Sequence, residues 1–465
     1  MFSANTYKDR RSKLKSSVSS GVILLPGNDE VGMNYRDNMY HFRQDSTFLY
    51  YIGVDRPNLI CLIDIDNNVE TIFGDDLTVD QIVWTGPVET LASSAHKSGI
   101  DSIKPYSDID SAIKIALQQK QTIHFLFPYR GEIAIRLSEW LNLPLRALEQ
   151  KVSMPLTKAI ISQRSYKTEE ELVEIDNAVD ITAAMQLKAI QLSRPGITEY
   201  AIAGELEGVA TSFGGHLSFP TILTVNGQYL HNHAGGNILK NGQMVLCDCG
   251  AETKMHYAGD MTRTFPVDKK FTGQQREIYE IVLDAQLSAV NALKPGVLFK
   301  DVHLLAAERL AGGLKQMGIL KGDIKEAVAM GVHTLFFQCG LGHMMGLDVH
   351  DMENLGEEYV GYTDTLKKSK EFGLKSLRLA KELEEGFVVT IEPGIYIIPE
   401  LIDQWQAENK HSHFINYDKV NAFRSFGGIR IEEDYFITKT GSRLMGKPLA
   451  KTVKEIEELK LSEPG

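Results

Sequence analysis

Two aspartates on neighbouring strand-like segments are the first candidates for chemistry in this sequence. Asp248 lies inside the apolar run 244–250, and Asp260 follows in 257–264, with residues 252–254 suited to the turn of a hairpin. Two such strands paired antiparallel can point both carboxylates to one face, where they repel each other unless a cation lies between them. A turn aspartate plus a surface aspartate is the alternative for this pair alone.

Two further segments carry side chains that can bind metals. His343 and His350 lie in the glycine-rich stretch 342–350, although a single histidine is more often a structural residue than a ligand. Glu392 ends an apolar, β-branched run just before a Pro-Gly turn. A carboxylate in that setting is costly unless it is paired or coordinated, so this glutamate is a candidate ligand.

A last strand-like segment, 427–437, alternates apolar and charged residues. Strand periodicity places Ile429 and Ile431 on one face and the charged side chains on the other, namely Arg430, Glu432 and Asp434. Taken alone, this pattern fits an exposed polar face equally well. Considered with the preceding carboxylates, it adds one more candidate ligand, Glu432.

The combined candidate set consists of four carboxylates and one imidazole: Asp248, Asp260, His343, Glu392 and Glu432. Carboxylate-rich sites suit Mn²⁺ or Mg²⁺, and Zn²⁺ or Co²⁺ is also compatible with them. With bridging carboxylates, these ligands suffice for two metal ions roughly 3.5–4 Å apart, an arrangement that several hydrolases use. Cys247 and Cys249 flank the first aspartate and therefore point to the opposite face, so we expect them in the core.

The elements that must position these residues show a repeated pattern. Capping boxes at Thr168 and Thr272 each predict the start of a long helix that ends before a Pro-Gly pair. Each long helix is followed by a second one and then by strand-rich sequence. Two such copies predict an internally duplicated α+β domain, although a chance recurrence of helix–Pro-Gly–helix is the alternative. The second helices are predicted over 198–214 and 300–317.

The first third of the chain alternates strand-like and helix-like segments, which predicts a small α/β domain. Residues 151–167 are basic and weakly periodic, and we interpret them as the junction. The predicted domains are therefore 1–165 and 166–465. The strand-like segments are 21–25, 46–52, 59–65, 69–73 and 122–127, and the helix-like segments are 88–97, 108–119 and 132–141.

Composition excludes several classes of protein. The chain has 465 residues, is 43% hydrophobic, and carries a formal net charge of −12, which disfavours nucleic-acid binding. Four cysteines do not make a disulfide framework and favour a reducing compartment. The first apolar run, 22–26, is too short for a signal-peptide core, and no run approaches the ~20 apolar residues of a membrane span. A cytoplasmic enzyme is therefore expected.

The candidate ligands and the words around them resemble the pita-bread metallopeptidases of the aminopeptidase P and prolidase group. The matching words, spread over 168–446, are DCG, YAGDMTRTFP, GLDVHD, TIEPGIYI and GIRIEED. Residues 40–53, YHFRQDSTFLYYIG, are similar to the N-terminal domain of aminopeptidase P and the larger prolidases, which methionine aminopeptidases generally lack. The resemblance implies an α+β architecture in which a duplicated pita-bread domain follows a smaller α/β domain.

The resemblance also implies a role for each candidate ligand. Asp248 would bind one metal ion, and His343 with Glu392 would bind the other. Asp260 and Glu432 would bridge the two ions. A hydroxide held between the ions would attack the carbonyl of an Xaa-Pro bond, with the glutamate of the second ion as general base or proton shuttle.

Three further residues receive substrate-related roles from the resemblance. His231 and His350 would lie near the substrate and contact the peptide oxygen or stabilise the tetrahedral intermediate. Arg430 would support Glu432 and the pocket. Selectivity for proline would come from pocket shape, since the imide nitrogen of proline cannot donate a hydrogen bond.

This sequence departs from the usual pattern of the group in three places. The interval between Asp248 and Asp260 is one residue longer than is common, which calls for a bulge or a longer turn. Cys339 stands where relatives often have histidine. An insertion at 354–385, with a helix predicted at 374–383, could form a lid, an oligomer contact or a surface decoration.

The leading hypothesis is a metallo-aminopeptidase that removes the residue preceding proline from peptide N-termini, as a homodimer or higher homo-oligomer. Prolidase, which cleaves only Xaa-Pro dipeptides, stays open because one arginine or histidine, or a closing loop, would suffice to recognise the free carboxylate. A catalytically silent peptide-binding module or a metal-free creatinase-type hydrolase would be expected to have lost ligands. All five candidate ligands are present.

Overall fold

The computed structural model describes residues 1–461, which fall into two compact units. One unit comprises 1–164 together with 354–356, and the other comprises 165–353 and 357–461. Within residues 1–461, no helix combines the length and the apolar character needed to cross a membrane.

The first unit is built on a mixed five-stranded sheet. Its strands are β1 (Val22–Pro26), β2 (Ile60–Asp64), β3 (Val69–Phe73), β4 (Ser102–Lys104) and β5 (Ile123–His124). Their order is β4-β3-β2-β1-β5, with β5 and β4 parallel to their neighbours and the other pairs antiparallel. The helices are α1 (Ala4–Val18), α2 (Ser46–Ile52), α3 (Val79–Thr85), α4 (Leu91–Lys97), α5 (Ile109–Gln118), α6 (Gly131–Leu141), α7 (Leu145–Lys151) and α8 (Met154–Ser165). Side chains of β1 and β2 pack against α5 and α6 in one apolar core, as predicted for an α/β domain.

The strand predicted at 46–52 is wrong, because this segment forms α2. Asp45 caps the helix by accepting a hydrogen bond from the Phe48 N–H (2.8 Å), and Gly53 ends it with a φ of 70°. All residues of α2 are buried, so the apolar pattern has no helical period, and only the two caps mark the helix. The junction predicted at 151–167 is largely occupied by α8.

The second unit combines long helices with small antiparallel sheets. Its helices are α9 (Glu169–Leu192), α10 (Glu199–Ser212), α11 (Gly273–Ala292), α12 (Phe299–Gln316), α13 (Ile324–Ala329), α14 (Glu357–Gly361), α15 (Pro399–Ala407), α16 (Tyr417–Ala422) and α17 (Val453–Leu461). Its strands are β6 (Ile222–Val225), β7 (Met244–Cys249), β8 (Met261–Pro266), β9 (Val388–Ile391), β10 (Gly394–Tyr396), β11 (Gly428–Arg430), β12 (Glu433–Ile437) and β13 (Ser442–Leu444). The sheets have the orders β6-β7-β8, β13-β12-β9 and β10-β11.

The duplicated pattern is visible in this unit. The predicted capping boxes start α9 and α11, and each long helix is followed by a second helix and then by a three-stranded sheet. Gln186 on α9 donates to the backbone carbonyls of Cys247 and Met261 in the first of these sheets. Gln286 on α11 donates to Tyr435 in the second. Equivalent buried amides therefore fasten each long helix to its own sheet.

The helix predicted at 374–383 is wrong. A single 3-10 turn, Leu374–Ser376, is present there, and the following backbone pairs with other segments. The N–H groups of Ala380 and Lys381 both donate to Gly361, and Phe299 N donates to the Lys381 carbonyl. These long-range hydrogen bonds replace those of a local helix.

Candidate metal centre

The hairpin β7–β8 presents two aspartates on one face. Asp248 lies directly opposite Thr262, and the same register continues to a bridge between Glu252 and Ala258. Asp260 precedes Thr262 by two positions in the strand direction and therefore faces the same side as Asp248. The turn of the hairpin therefore accommodates the extra residue between Asp248 and Asp260, and both aspartates keep their side chains on the same face of the sheet.

His343 turns one ring nitrogen toward two carboxylates. Its Nδ1 donates to the Met344 carbonyl at 3.0 Å. Its Nε2 lies 3.5 Å from Asp260 Oδ2 and 3.6 Å from Oε1 of Glu392, which directly follows β9. A histidine whose Nδ1 donates to a backbone carbonyl is held with Nε2 directed at its other neighbours, which is the usual arrangement of a metal ligand.

Glu432 lies at a break in the segment predicted as one strand. β11 pairs with β10, whereas β12 pairs with β9, and the chain changes sheets at this glutamate. Its N–H donates to the Thr262 carbonyl at 3.1 Å, and Thr262 Oγ1 donates to its Oε2 at 2.7 Å. Because Arg430, Glu432 and Asp434 are all buried, the interpretation as an exposed polar face is wrong.

The buried carboxylates of this site lie close enough together for their charges to repel each other. Ligand atoms of Asp260, His343 and Glu432 all lie within 4.8 Å of one another. Burial and the charge of Asp248 raise the pKa of Asp260 well above its usual value, and burial and the charge of Asp260 do the same for Glu432. Burial also raises the pKa of Glu392. These carboxylates cannot all be ionised together unless a positive charge lies among them.

Orphaned oxygen atoms support the same conclusion. Asp248 Oδ1 and Asp260 Oδ1 are buried and have no hydrogen-bond partner among the described residues. Unpaired carboxylate oxygens beside an imidazole nitrogen are typical ligand atoms for divalent metal ions. The residues present therefore fit divalent metal ions. Cys247 and Cys249 are buried on the opposite face of β7, as predicted.

Arg430 has a different partner from the one expected. The resemblance implies that it supports Glu432, whereas its Nη2 lies 2.6 Å from Asp248 Oδ2. Its Nε donates to Thr262 Oγ1 at 3.0 Å, and its Nη1 donates to Tyr396 Oη at 2.9 Å. Arg430 therefore holds Asp248 directly and reaches Glu432 only through the threonine hydroxyl.

A cavity of about 460 Å³ opens onto the cluster. His231 and His350 line it, and the ring centroids of His350 and His343 are 4.2 Å apart. Desolvation lowers the pKa of both cavity histidines, and the charges of Arg430 and His343, respectively, act in the same direction. Cys339 also lines the cavity, and burial raises its pKa to about 12.

The insertion contributes to this cavity as well. Ser376 and Arg378 belong to the cavity wall, so the segment 354–385 is more than a surface decoration. Arg378 Nη1 contacts Glu353 Oε2 at 2.5 Å, and His350 Nδ1 lies 3.3 Å from the same oxygen. A cation from the insertion thus stands beside a cavity histidine.

Sequence reasoning missed Arg263 and gave no role to Asp434, and both of these residues hold the segments of the candidate ligands. Arg263 donates to the Glu432 carbonyl at 2.9 Å and forms an ion pair with Glu433 at 2.7 Å. The N–H of Asp260 donates to Asp434 Oδ2 at 3.0 Å. The available signal was the presence of polar residues in otherwise apolar strands, since such residues are stable there only when they are paired.

Comparison with known proteins agrees with this architecture. The human Xaa-Pro dipeptidase is 31% identical over 472 residues, which span 98% of this chain and 92% of that protein. The Xaa-Pro aminopeptidase of Escherichia coli K12 is 30% identical over 476 residues, 98% of each chain. The structure of Zn-substituted E. coli aminopeptidase P in complex with product superposes with a TM-score of 0.81 at 28% identity, covering 100% of this chain and 99% of that one.

The fold and the site together define a metal-dependent hydrolase, with a carboxylate-rich donor set beside a cavity of ligand size. Residues 173–439 match the model of metallopeptidase family M24, and residues 7–124 match the N-terminal domain of aminopeptidase P. The chain belongs to metallopeptidase family M24. The predicted pita-bread fold with a preceding N-terminal domain is thereby confirmed.

Proposed function

We propose that this protein hydrolyses the bond between an N-terminal residue and a following proline in peptides. The observation that carries the proposal is the convergence of Asp260, His343 and Glu432 on one buried point beside the cavity. It is supported by relatives that are named as an Xaa-Pro dipeptidase and an Xaa-Pro aminopeptidase.

We propose that two divalent metal ions, Mn²⁺ by the hardness of the donors, are held by the five predicted ligands. Asp248 would hold one ion, and His343 with Glu392 would hold the other. Asp260 and Glu432 would contact both. Bound ions of this kind lower the pKa of a water and neutralise charge that develops on the scissile carbonyl oxygen.

The remaining chemistry falls to side chains of the chain itself. Glu392, which lines the cavity and whose Oε1 lies 3.6 Å from His343 Nε2, would take a proton from the attacking water and deliver it to the leaving proline nitrogen. His231 and His350 have lowered pKa values, so they are neutral at pH 7 and can form hydrogen bonds with the peptide. Arg430 keeps Asp248 in place.

A specific observation favours prolidase as a second candidate. Arg378, which comes from the insertion, lines the cavity. A guanidinium can bind a carboxylate through two parallel hydrogen bonds. In an Xaa-Pro dipeptide the free carboxylate lies on the proline itself, next to the scissile bond, so a cation in the cavity wall would recognise dipeptides.

A peptide panel tests both candidates. Protein loaded with Mn²⁺ is incubated with an Xaa-Pro dipeptide, an Xaa-Pro-Pro tripeptide and an Xaa-Ala dipeptide. Cleavage of the first two and not of the third supports an Xaa-Pro aminopeptidase, and cleavage of the Xaa-Pro dipeptide alone supports prolidase. Failure on every proline substrate, in protein shown by elemental analysis to contain stoichiometric metal, would overturn the proposal.

Two further properties belong to the same proposal. The four free thiols favour a reducing compartment, and we propose the cytoplasm. We also propose a homodimer, for which α3 offers a surface, because none of its residues is buried and Trp84 is 82% exposed. We expect W84E to have a lower molar mass than the native protein, as measured by light scattering at equal concentration. A native protein that is monomeric by the same measurement would contradict this part.

A further inference from the structure

Glu199, the first residue of α10, is a buried acidic side chain that the proposed chemistry does not use. It is 1% exposed. Its Oε1 accepts a hydrogen bond from the Val225 N–H at 2.8 Å, and its Oε2 accepts one from the Gly235 N–H at 2.8 Å. The Asn237 amide donates to both oxygens, at 3.2 and 3.1 Å. Both carboxylate oxygens thus accept hydrogen bonds from the last residue of β6 or from the segment that follows it.

That segment, the loop 226–237, carries two of the histidines that line the cavity, His231 and His233. Most of its residues are exposed or half-buried. Within the loop, His233 forms an isolated β-bridge with Ile222, and the Asn232 amide donates a hydrogen bond to Thr224 Oγ1 at 3.0 Å. Backbone hydrogen bonds also hold this loop at its ends, from Tyr200 N to the Gly235 carbonyl (3.2 Å) and from Asn226 N to the Met244 carbonyl (2.9 Å). The Glu199 carboxylate is the side chain that joins the two ends to each other, and an exposed loop has little other packing to fix its geometry.

The surroundings of Glu199 suit a hydrogen-bond acceptor. Amide N–H groups point at both of its oxygens, at the N-terminus of α10. The helix does not require a glutamate at this position for capping, since Thr198 already caps it by accepting a hydrogen bond from Ala201 N. In the other half of the duplicated pattern, α12 begins with Phe299. The carboxylate therefore belongs to the half whose loop carries His231.

We propose that Glu199 is a positioning residue for the hydrolytic reaction, which it serves by holding the loop 226–237 so that His231 faces the cavity. The inference rests on the proposed function through the role of His231 alone. In this role Glu199 does not contact the substrate. Its effect is transmitted by backbone hydrogen bonds at Val225 and Gly235.

A double-mutant cycle tests the inference. Kinetic constants on an Xaa-Pro peptide and metal content are measured for native protein, E199A, H231A and the double variant, all loaded with Mn²⁺. We expect E199A to lower kcat/KM about 10- to 100-fold, because a displacement of about 1 Å in a catalytic group can cost that much. Metal content stays unchanged, since Glu199 is on a different element from the ligands. In the H231A background the same substitution should cost less than about 3-fold.

Two kinetic outcomes overturn the inference. If H231A lowers kcat/KM and E199A adds its full loss in that background, Glu199 acts structurally and this inference falls while the proposed function stands. If H231A alone leaves kcat/KM unchanged, the role of His231 in the proposed function falls, and the positioning role of Glu199 falls with it. E199Q provides a milder variant, since its amide oxygen can still accept a hydrogen bond, and we expect a smaller loss.

Asp176 offers a matched control. It is a carboxylate on α9 that accepts a hydrogen bond from the Gly446 N–H at 2.7 Å and so fastens a loop that does not line the cavity. D176A should keep kcat/KM within about 2-fold of the native value. Hydrogen exchange gives a readout independent of activity: E199A should speed exchange at the Val225 and Gly235 amides, and D176A should not. Native protection of both amides in E199A would overturn the inference.

Discussion

Arg430 and Asp248 form a buried ion pair across the hairpin face that carries the candidate ligands, with Nη2 and Oδ2 2.6 Å apart. The same guanidinium donates to Thr262 Oγ1, and that hydroxyl donates to Glu432. A single cation thus sets the direction of one candidate ligand and, through Thr262, of another. Burying a guanidinium beside a metal site costs desolvation free energy. In return, its hydrogen bonds fix the orientation of the carboxylates that would bind the metal ions.

We therefore expect R430M to weaken Mn²⁺ binding about 10- to 100-fold, because residues that orient metal ligands typically contribute that much. R430K should retain part of the affinity. Elemental analysis after dialysis against limiting metal gives the measurement, with circular dichroism to check folding. R443M is the control, since Arg443 pairs with Asp176 in a half-exposed ion pair. Full metal occupancy in R430M would contradict the argument.

Metal removal should destabilise the protein in a pH-dependent way. The pKa values of Asp260 and Glu432 are raised in the folded protein without metal, so their ionisation is easier in the unfolded chain. Stability of the metal-free protein is then lost as pH rises above the ordinary carboxyl pKa of about 4. We expect the difference in melting temperature between Mn²⁺-loaded and chelator-treated protein to widen from pH 5 to pH 8.

Differential scanning fluorimetry over that pH range measures the effect. D260N serves as the comparison, because it removes one of the two titrating carboxyls and should flatten the pH dependence of the metal-free protein. A difference in melting temperature that is equal at pH 5 and pH 8 would contradict the electrostatic account.

Much of the candidate site could be predicted from sequence because each candidate ligand lies in a short segment with its own local signal. Asp248 in an apolar strand and Glu392 before a Pro-Gly turn are examples of such signals. The segment 427–437 shows the limit, since its alternation is real but the change of sheet at Glu432 depends on which strands pair with it. Arg378 reaches the cavity from an irregular segment between a 3-10 turn and the long-range backbone hydrogen bonds of Ala380 and Lys381 to Gly361. No local periodicity encodes such contacts.

A pair of buried histidines away from the metal centre predicts acid sensitivity. His303 on α12 and His333 in the 3-10 helix Val332–Leu335 have ring centroids 6.2 Å apart. Burial lowers the pKa of His303 to about 3 and that of His333 to about 4. Both are depressed below the unfolded value of about 6.5, so stability is full above that pH and is lost as pH falls toward 4.

We expect H303L to reduce by about one the number of protons taken up on unfolding between pH 4 and pH 6. Urea denaturation at several pH values gives this number from the slope of the unfolding free energy against pH. Leu310 on the same helix is the control, because it is buried and cannot titrate, so L310A should lower the unfolding free energy and leave the slope unchanged. An unchanged slope in H303L would show that this histidine does not carry the effect.

Arg378 should separate dipeptides from longer peptides. If its guanidinium binds the carboxylate of an Xaa-Pro dipeptide, R378M loses a charged hydrogen bond worth roughly 1.5–3 kcal/mol, which is about 10- to 150-fold in kcat/KM. The Xaa-Pro amide, which lacks the carboxylate, should change by less than about 3-fold. R424M is a control for loss of an arginine, because Arg424 pairs with Asp403 and does not line the cavity. Equal losses on the dipeptide and its amide would mean that Arg378 acts through its contact with Glu353 and not through the substrate carboxylate, and the case for prolidase would lose its structural support.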